Sequence, residues 1–364
     1  MRAHLALDDG TVLAGEPIGA AGWTGGEVVF TTSLTGYQEV LSDPSYRGQI
    51  VVMAYPLIGN YGFRDAAMES HRPHAAGFVV RWNAPAGAPA SGLGSDPRGA
   101  DLDAYLRAWG LVGIAGVDTR RLVRHLRTGG VRRGIVSTED ESHGDLVARA
   151  RALPDLGEID LVAQVSESRP VRFPAAGPRI AVLDCGAKQG IVHNLRVREC
   201  DVTVFPHDTT AAEIRAIGPH GLVVTNGPGD PARLATIARE IASLWEEIPV
   251  MGICLGHQIL AIAAGAHTFK LPFGHRGSNH PVRDETTGRV AITTQNHGYA
   301  VDEKSLAETG FEVTHHNLHD GTVEGMRHRE LRVFSVQYHP EGRPGPQDSV
   351  HLFDRFLDLV GRSV

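Results

Sequence analysis

A chain of 364 residues exceeds what one ordinary hydrophobic core organises, and an apolar content of 42% supports packed structure throughout, so two domains are expected. Lys and Arg total 35 against 42 acidic residues, and the net charge of −7 leaves no electrostatic footprint for nucleic acid or an anionic membrane surface. Cys185, Cys200 and Cys254 are too few and too scattered for a disulfide framework or a zinc site, and are expected to be free thiols.

The opening ten residues hold no apolar run of signal-peptide length, and the most apolar later stretch, 251–266, is interrupted by His257 and Gln258. A soluble, cytoplasmic protein is the expectation. A hairpin is predicted across residues 5–12, then a β-rich 27–32, a turn-rich 35–48 and an apolar strand at 50–54. Residues 84–99 are rich in Ala, Gly, Pro and Ser and are read as a low-complexity surface loop. Helices follow at 102–109 and 119–126. This first half, residues 1–168, is an α+β domain without a doubly wound rhythm. The proline-rich stretch that begins at Arg169 supplies a linker over 169–178.

From residue 179 onward apolar strands at 180–183, 202–205, 222–225, 250–253, 290–293 and 333–337 are separated by helical segments such as 231–245 and 257–264. That alternation predicts βαβ units and a doubly wound, largely parallel α/β domain over 179–364. Val350, Phe353, Phe356, Leu357 and Val360 then mark one face of a closing helix.

Three motifs in this half carry chemistry. Asn226-Gly-Pro-Gly-Asp-Pro231 follows a strand, and a glycine-rich loop there exposes backbone N–H groups to either a phosphate or a developing oxyanion. It lacks the Gly-Lys-Ser/Thr of a P-loop and the dinucleotide glycine pattern, so it is read as an oxyanion loop. Gly252-Ile-Cys254-Leu-Gly256-His-Gln258 places a thiol between small residues where strand gives way to helix, the arrangement of a nucleophile elbow whose helix N-terminus favours thiolate. A lone cysteine is ordinarily a small buried hydrophobe; the flanking glycines at a strand-to-helix switch argue for the nucleophile. Cys185, also after a strand, keeps a lesser chance of reactivity, and Cys200 is assigned to packing.

A thiolate nucleophile needs a proton shuttle and a group that fixes the imidazole tautomer. Tyr338-His339-Pro-Glu341 offers both at the end of the last strand, with His339 as base and Glu341 as its orienter. The denser run His315-His-Asn-Leu-His319 invites a metal reading. It is placed in a hairpin loop, with no cysteine or helically spaced carboxylate beside it, and no metal site is assigned.

Taken in order, these motifs resemble the class I, triad-type glutamine amidotransferases. The resemblance implies a Cys254, His339, Glu341 triad and an oxyanion hole built by Gly229 with the backbone at Leu255. In the first half Gly26 to Tyr46, Tyr55-Pro-Leu-Ile-Gly-Asn60 and Val117-Asp-Thr-Arg120 look like the small-chain family of carbamoyl-phosphate synthetases. Phe273 to Pro281 and Thr294-Gln-Asn-His-Gly-Tyr299 agree, so nearly the whole chain is covered.

By that resemblance L-glutamine is held by Ser45, Gly227, Gly229, Leu255, Gln258, Asn296, Gly298 and Tyr299. The chain itself then uses no cofactor. A large partner chain, in a heterodimer or higher oligomer, would use two ATP, with Mg, and bicarbonate to turn the delivered ammonia into carbamoyl phosphate. Departures from the family pattern occur at Asp184-Cys-Gly-Ala-Lys-Gln-Gly-Ile191, at Gly342-Arg343 and in the 84–99 loop. They leave open an amidotransferase for another acceptor in a specialised pathway, or an idle scaffold subunit. The first-half motifs argue against the former and an intact triad against the latter.

Overall fold

The expected opening hairpin forms from β1 (Ala3–Leu7) and β2 (Val12–Gly19), which pair antiparallel around a turn where Gly10 takes φ 98°. The computed structural model describes residues 2–84 and 101–361; of the 84–99 loop, residues 85–99 lie outside the described residues. Contacts divide the chain into two units, Met1–Ile159 and Asp160–Val364.

The first unit continues with β3 (Trp23–Thr31), α1 (Tyr37–Ser42), β4 (Gln49–Met53), β5 (Leu57–Ile58), β6 (Gly77–Val79) and β7 (Trp82–Asn83). After the undescribed stretch come α2 (Leu102–Ala108), β8 (Val112–Ala115), α3 (Thr119–Gly129), β9 (Arg132–Ser137) and α4 (His143–Ala152). Seven strands close a barrel in the order β1-β2-β8-β6-β4-β3-β9. The α+β region is thus more specific than its sequence suggested: closure leaves the barrel itself no free edge, with β5 and β7 forming a separate two-stranded sheet. Val29, Val51, Met53 and Phe78 pack against Tyr37 and Leu41 of α1 and Leu102, Tyr105 and Leu106 of α2. Asp101 and Asp118 cap α2 and α3 by accepting the Ala104 and Arg121 N–H groups at 2.8 and 3.0 Å.

Within the stretch expected to be a linker, β10 (Val171–Phe173) pairs antiparallel with β12 (Asp201–Pro206) and forms an edge of the second unit's sheet. The parallel core is β12, β11 (Arg179–Asp184), β13 (Gly221–Val224), β14 (Val250–Ile253) and β19 (Val333–Val336), in that spatial order. Strand alternation feeds two cores. Ala181, Leu183, Leu222 and Val224 face one cluster with α6 (Ala211–Ala216), α7 (Ala235–Ala242) and α8 (Leu255–Ala263). Ile180, Val182, Val223 and Met251 face the other with α5 (Gln189–Arg196) and α10 (His351–Gly361). Helices on both faces make the expected doubly wound arrangement.

Beyond β19 the sheet runs antiparallel through β18 (Val323–His328), β17 (Phe311–Asn317), β15 (Thr268–Asp284) and β16 (Val290–Val301), with the short α9 (Glu303–Leu306) between β16 and β17. The strand expected at 290–293 is therefore the start of a longer one, and His315 stands on β17 rather than in a loop. No helix among the described residues is long and apolar enough to cross a membrane.

Candidate active site

Cys254 sits between β14 and α8 with φ 54° and ψ −102°. A β-carbon-bearing residue adopts such a backbone only where its surroundings impose it. The surroundings are visible. The Cys254 N–H donates to Val336 O at 2.9 Å and the Gly256 N–H to Thr225 O at 3.0 Å, which ties the turn to two strands. A β-carbon on Gly256 would meet Val224 O at 2.1 Å, and one on Gly252 would meet Leu260 Cδ1 at 2.7 Å. Glycine on either side of the thiol is thus a steric requirement of the close strand–helix approach.

The side chain is 2% exposed. Its Sγ lies 3.7 Å from Asn296 O, and Gln337 Nε2 donates toward Sγ at 3.7 Å. Leu255 is the first residue of α8, so its N–H is among those that helix geometry leaves without an intrahelical acceptor. Cys185 is fully buried and desolvation pushes its thiol far up, which disfavours the thiolate that a nucleophile needs. Burial likewise raises Cys200 to about 11.

His339 and Glu341 follow β19, and β16 curls back over them: Thr294 O accepts the His339 N–H at 2.9 Å. His339 Nδ1 meets Glu341 Oε1 at 2.7 Å, with both side chains almost wholly buried. Nε2 makes no hydrogen bond of ordinary length and angle, while the Cys254 thiol acts on the ring through a looser contact that favours its charged form. Desolvation opposes a charge on His339, yet the Glu341 carboxylate outweighs it and raises the imidazole to about 10. Desolvation also opposes charge on Glu341, and Lys188 and His339 overcome it, holding the carboxyl well below its ordinary range.

Lys188 is a member of this array that the motifs did not announce. Its Nζ donates to Glu341 Oε1 at 2.8 Å and also to Arg343 O, and its side chain is 1% exposed. The signal was its place in the turn after β11, at the carboxyl end of a parallel strand where α/β folds gather their sites. Asp184 shapes that turn by accepting the Gly186 and Ala187 N–H groups at 2.8 and 2.6 Å. The unusual Gly342 is explained as well: it takes φ 62°, and a β-carbon there would meet Pro346 O at 2.3 Å.

The loop of Gly227 and Gly229 lies beside that turn. A β-carbon on Gly227 would meet Cys185 O at 2.0 Å and Leu255 Cδ2 at 2.8 Å, and Gly229 adopts φ 95°. One turn into α8, Gln258 Nε2 donates to Tyr299 O at 2.9 Å and to Gln337 Oε1 at 3.0 Å. The second unit therefore gathers Cys254, His339, Glu341, Gly227, Leu255, Gln258, Asn296 and Tyr299 around one end of the parallel core; Gly298, between Asn296 and Tyr299 on β16, has its absent β-carbon 3.5 Å from Arg276 Nη2. Ser45 belongs to the first unit, buried in a 3₁₀ turn at Pro44–Tyr46 where Asp43 Oδ1 accepts its N–H at 2.9 Å.

The histidine run does not converge on a point. His315 Nδ1 bonds Thr314 Oγ1, His316 meets Glu285 and Glu303, and the His319 ring lies edge-on to His280.

Comparison with known families agrees with this geometry. Residues 181–359 match the glutamine amidotransferase class-I family, and residues 5–136 match the carbamoyl-phosphate synthase small chain, CPSase domain. The chain is 47% identical to a carbamoyl phosphate synthase small chain of Bacillus caldolyticus, over 99% of this chain and 97% of that one. It is 48% identical to the small chain of Methanopyrus kandleri over 99% of both. A pyrimidine-specific small chain of Lactiplantibacillus plantarum is 45% identical over 99% of this chain and 96% of that one. With both halves matched and relatives aligned end to end, the chain belongs to the carbamoyl phosphate synthase small chain family.

Proposed function

We propose that this chain hydrolyses L-glutamine through a glutamyl thioester on Cys254, with His339 carrying the proton and Glu341 fixing the imidazole. It does so as the glutamine-hydrolysing subunit of carbamoyl phosphate synthase. The Cys254 thiolate attacks the side-chain amide carbon and forms a C–S bond, while the Leu255 and Gly229 N–H groups receive the oxyanion. The C–N bond then breaks as the His339 imidazolium gives its proton to the departing nitrogen, releasing ammonia. The imidazole, now neutral, takes a proton from water as that water attacks the thioester. The C–S bond breaks, glutamate leaves, and thiolate and imidazolium are restored.

Gly227, Gln258, Asn296, Gly298 and Tyr299 hold the α-amino and α-carboxyl groups in this scheme. The chain needs no cofactor of its own; the large partner chain, with two ATP, Mg and bicarbonate, consumes the ammonia in a cytoplasmic heterodimer or a higher assembly of it. The observation that carries the reading is a thiol at a strained elbow beside a buried His339–Glu341 pair.

The test is Cys254→Ala in the assembled enzyme. Glutamine-dependent synthesis of carbamoyl phosphate is expected to vanish while ammonia-dependent synthesis persists. Retained glutamine-dependent turnover would show that another group is the nucleophile.

A further inference from the structure

Next to Asn296 and Gly298 on β16, strands β15, β16 and β18 bring His275, His297 and Glu324 together, all three buried, with one donor atom from each within 4.8 Å of the others. Each imidazole has one nitrogen already committed. His275 Nε2 lies 2.8 Å from Asp320 Oδ2, and a carboxylate only accepts, so that nitrogen carries the proton. His297 Nδ1 lies 2.8 Å from Tyr299 O, and a carbonyl fixes the tautomer in the same way. A neutral ring then presents a lone pair at His275 Nδ1 and at His297 Nε2. The first lies 3.5 Å from both Glu324 Oε1 and Asn317 Nδ2 and the second 3.0 Å from Gln295 Oε1. Without a metal, desolvation disfavours charge on His275 but the Asp320 and Glu324 carboxylates outweigh it and raise the ring to about 9, so it then donates to Glu324 as an imidazolium.

Glu324 is the second, independent sign. It is 0% exposed, its Oε1 accepts from Asn317 Nδ2 at 2.8 Å, and its Oε2 has no hydrogen-bond partner. The His275 imidazolium reaches only Oε1, and a buried carboxylate oxygen left without a partner is costly. The outer contacts have the form that metal sites use: ligating histidines hand their other N–H to a carboxylate or a backbone carbonyl, which sets the ring's orientation and basicity.

We propose that His275, His297 and Glu324 bind one borderline divalent cation, zinc by ligand chemistry, that staples the antiparallel half of the sheet. Two imidazoles and one carboxylate suit zinc better than calcium or magnesium, which prefer all-oxygen shells. Water is the natural fourth ligand. Drawing the donors in to the about 2.0–2.2 Å of a zinc shell asks for side-chain rotations, not a change of register. The His280 ring lies 5.3 Å from that of His275, beside the cluster.

The experiment uses the full chain carrying Cys254→Ala, so that the catalytic thiol cannot ligate, stripped with a chelator and dialysed. It is titrated with zinc against a chromophoric chelator, and with cobalt, whose visible absorption reports tetrahedral nitrogen and oxygen ligation. One equivalent is expected to bind, with Glu324→Gln and His275→Gln each weakening it by about tenfold or more. Absence of stoichiometric zinc in the unmutated site overturns the proposal without any appeal to variants, and makes His275 itself the cation of the cluster. Binding that is equally tight in both variants overturns it too, since the metal then sits elsewhere.

Discussion

Glu341 holds two cations on one buried carboxylate, the imidazolium of His339 and the ammonium of Lys188. Replacing it by Gln keeps the shape and removes the charge, so His339 loses the partner that raises it to about 10 and Lys188 loses the carboxylate 2.8 Å from its Nζ. Glutaminase kcat is expected to fall by roughly 10²–10⁴-fold, by analogy with the loss of the orienting carboxylate in other triads. The alkaline limb of the kcat/KM profile should move to lower pH. Breaking one side of a buried pair also costs about 3–5 kcal/mol, readable as a lowered Tm. The wild-type linkage has a definite sign: His339 is raised from an ordinary 6.5 to about 10. Its stabilising contribution is fully present below pH 6.5 and is lost as pH rises through 10. Tm measured from pH 6.5 to 10 should decline less steeply in His339→Gln than in the wild type; identical slopes would mean that the imidazole is not charged in the folded chain.

At the scale of elements, the elbow depends on how closely α8 approaches β13. A β-carbon on Gly256 would stand 2.1 Å from Val224 O, which is backbone and cannot swing aside. Gly256→Ala should therefore push the first turn of α8 outward, costing about 1–3 kcal/mol by overpacking and misplacing both Cys254 and the Leu255 N–H. Activity is expected to drop more than stability, because a displacement near 1 Å suffices to cost about 10²-fold in rate; a variant with wild-type kcat would show that the elbow tolerates the shift. The same closeness explains what could be read beforehand. Parallel strands such as Ile180 to Leu183 are buried on both faces, so they stand out as short apolar runs between helices. Glycines at the elbow and in the Asn226 to Pro231 loop were visible for the same steric reason. The antiparallel extension was not, because β15 and β16 bury His275, Arg276, Asn296 and His297, and polar residues turned inward look like loop. Lys188 was hidden because a lysine after a strand is normally a solvated one.

At the scale of the whole chain, a glutaminase that fed ammonia into bulk water would waste glutamine and deliver a protonated, non-nucleophilic product. The Cys254 side chain is 2% exposed and no member of the His339–Glu341–Lys188 array is more exposed, so turnover needs the site to open and then exclude water. In an enzyme that pairs a small chain with a large one, the natural source of that control is the large partner chain. The isolated chain should accordingly hydrolyse glutamine slowly, and addition of the large chain should raise kcat by about tenfold or more through a conformational step outside the chemistry. The measurement is glutamate release by the purified chain alone and with its large chain, at saturating glutamine. Thiol alkylation of Cys254, followed in parallel and protected by glutamine, reports how often the site opens. If the rates with and without the partner coincide, the array is already competent in the isolated chain, and coupling must lie in the fate of the ammonia instead of in its release.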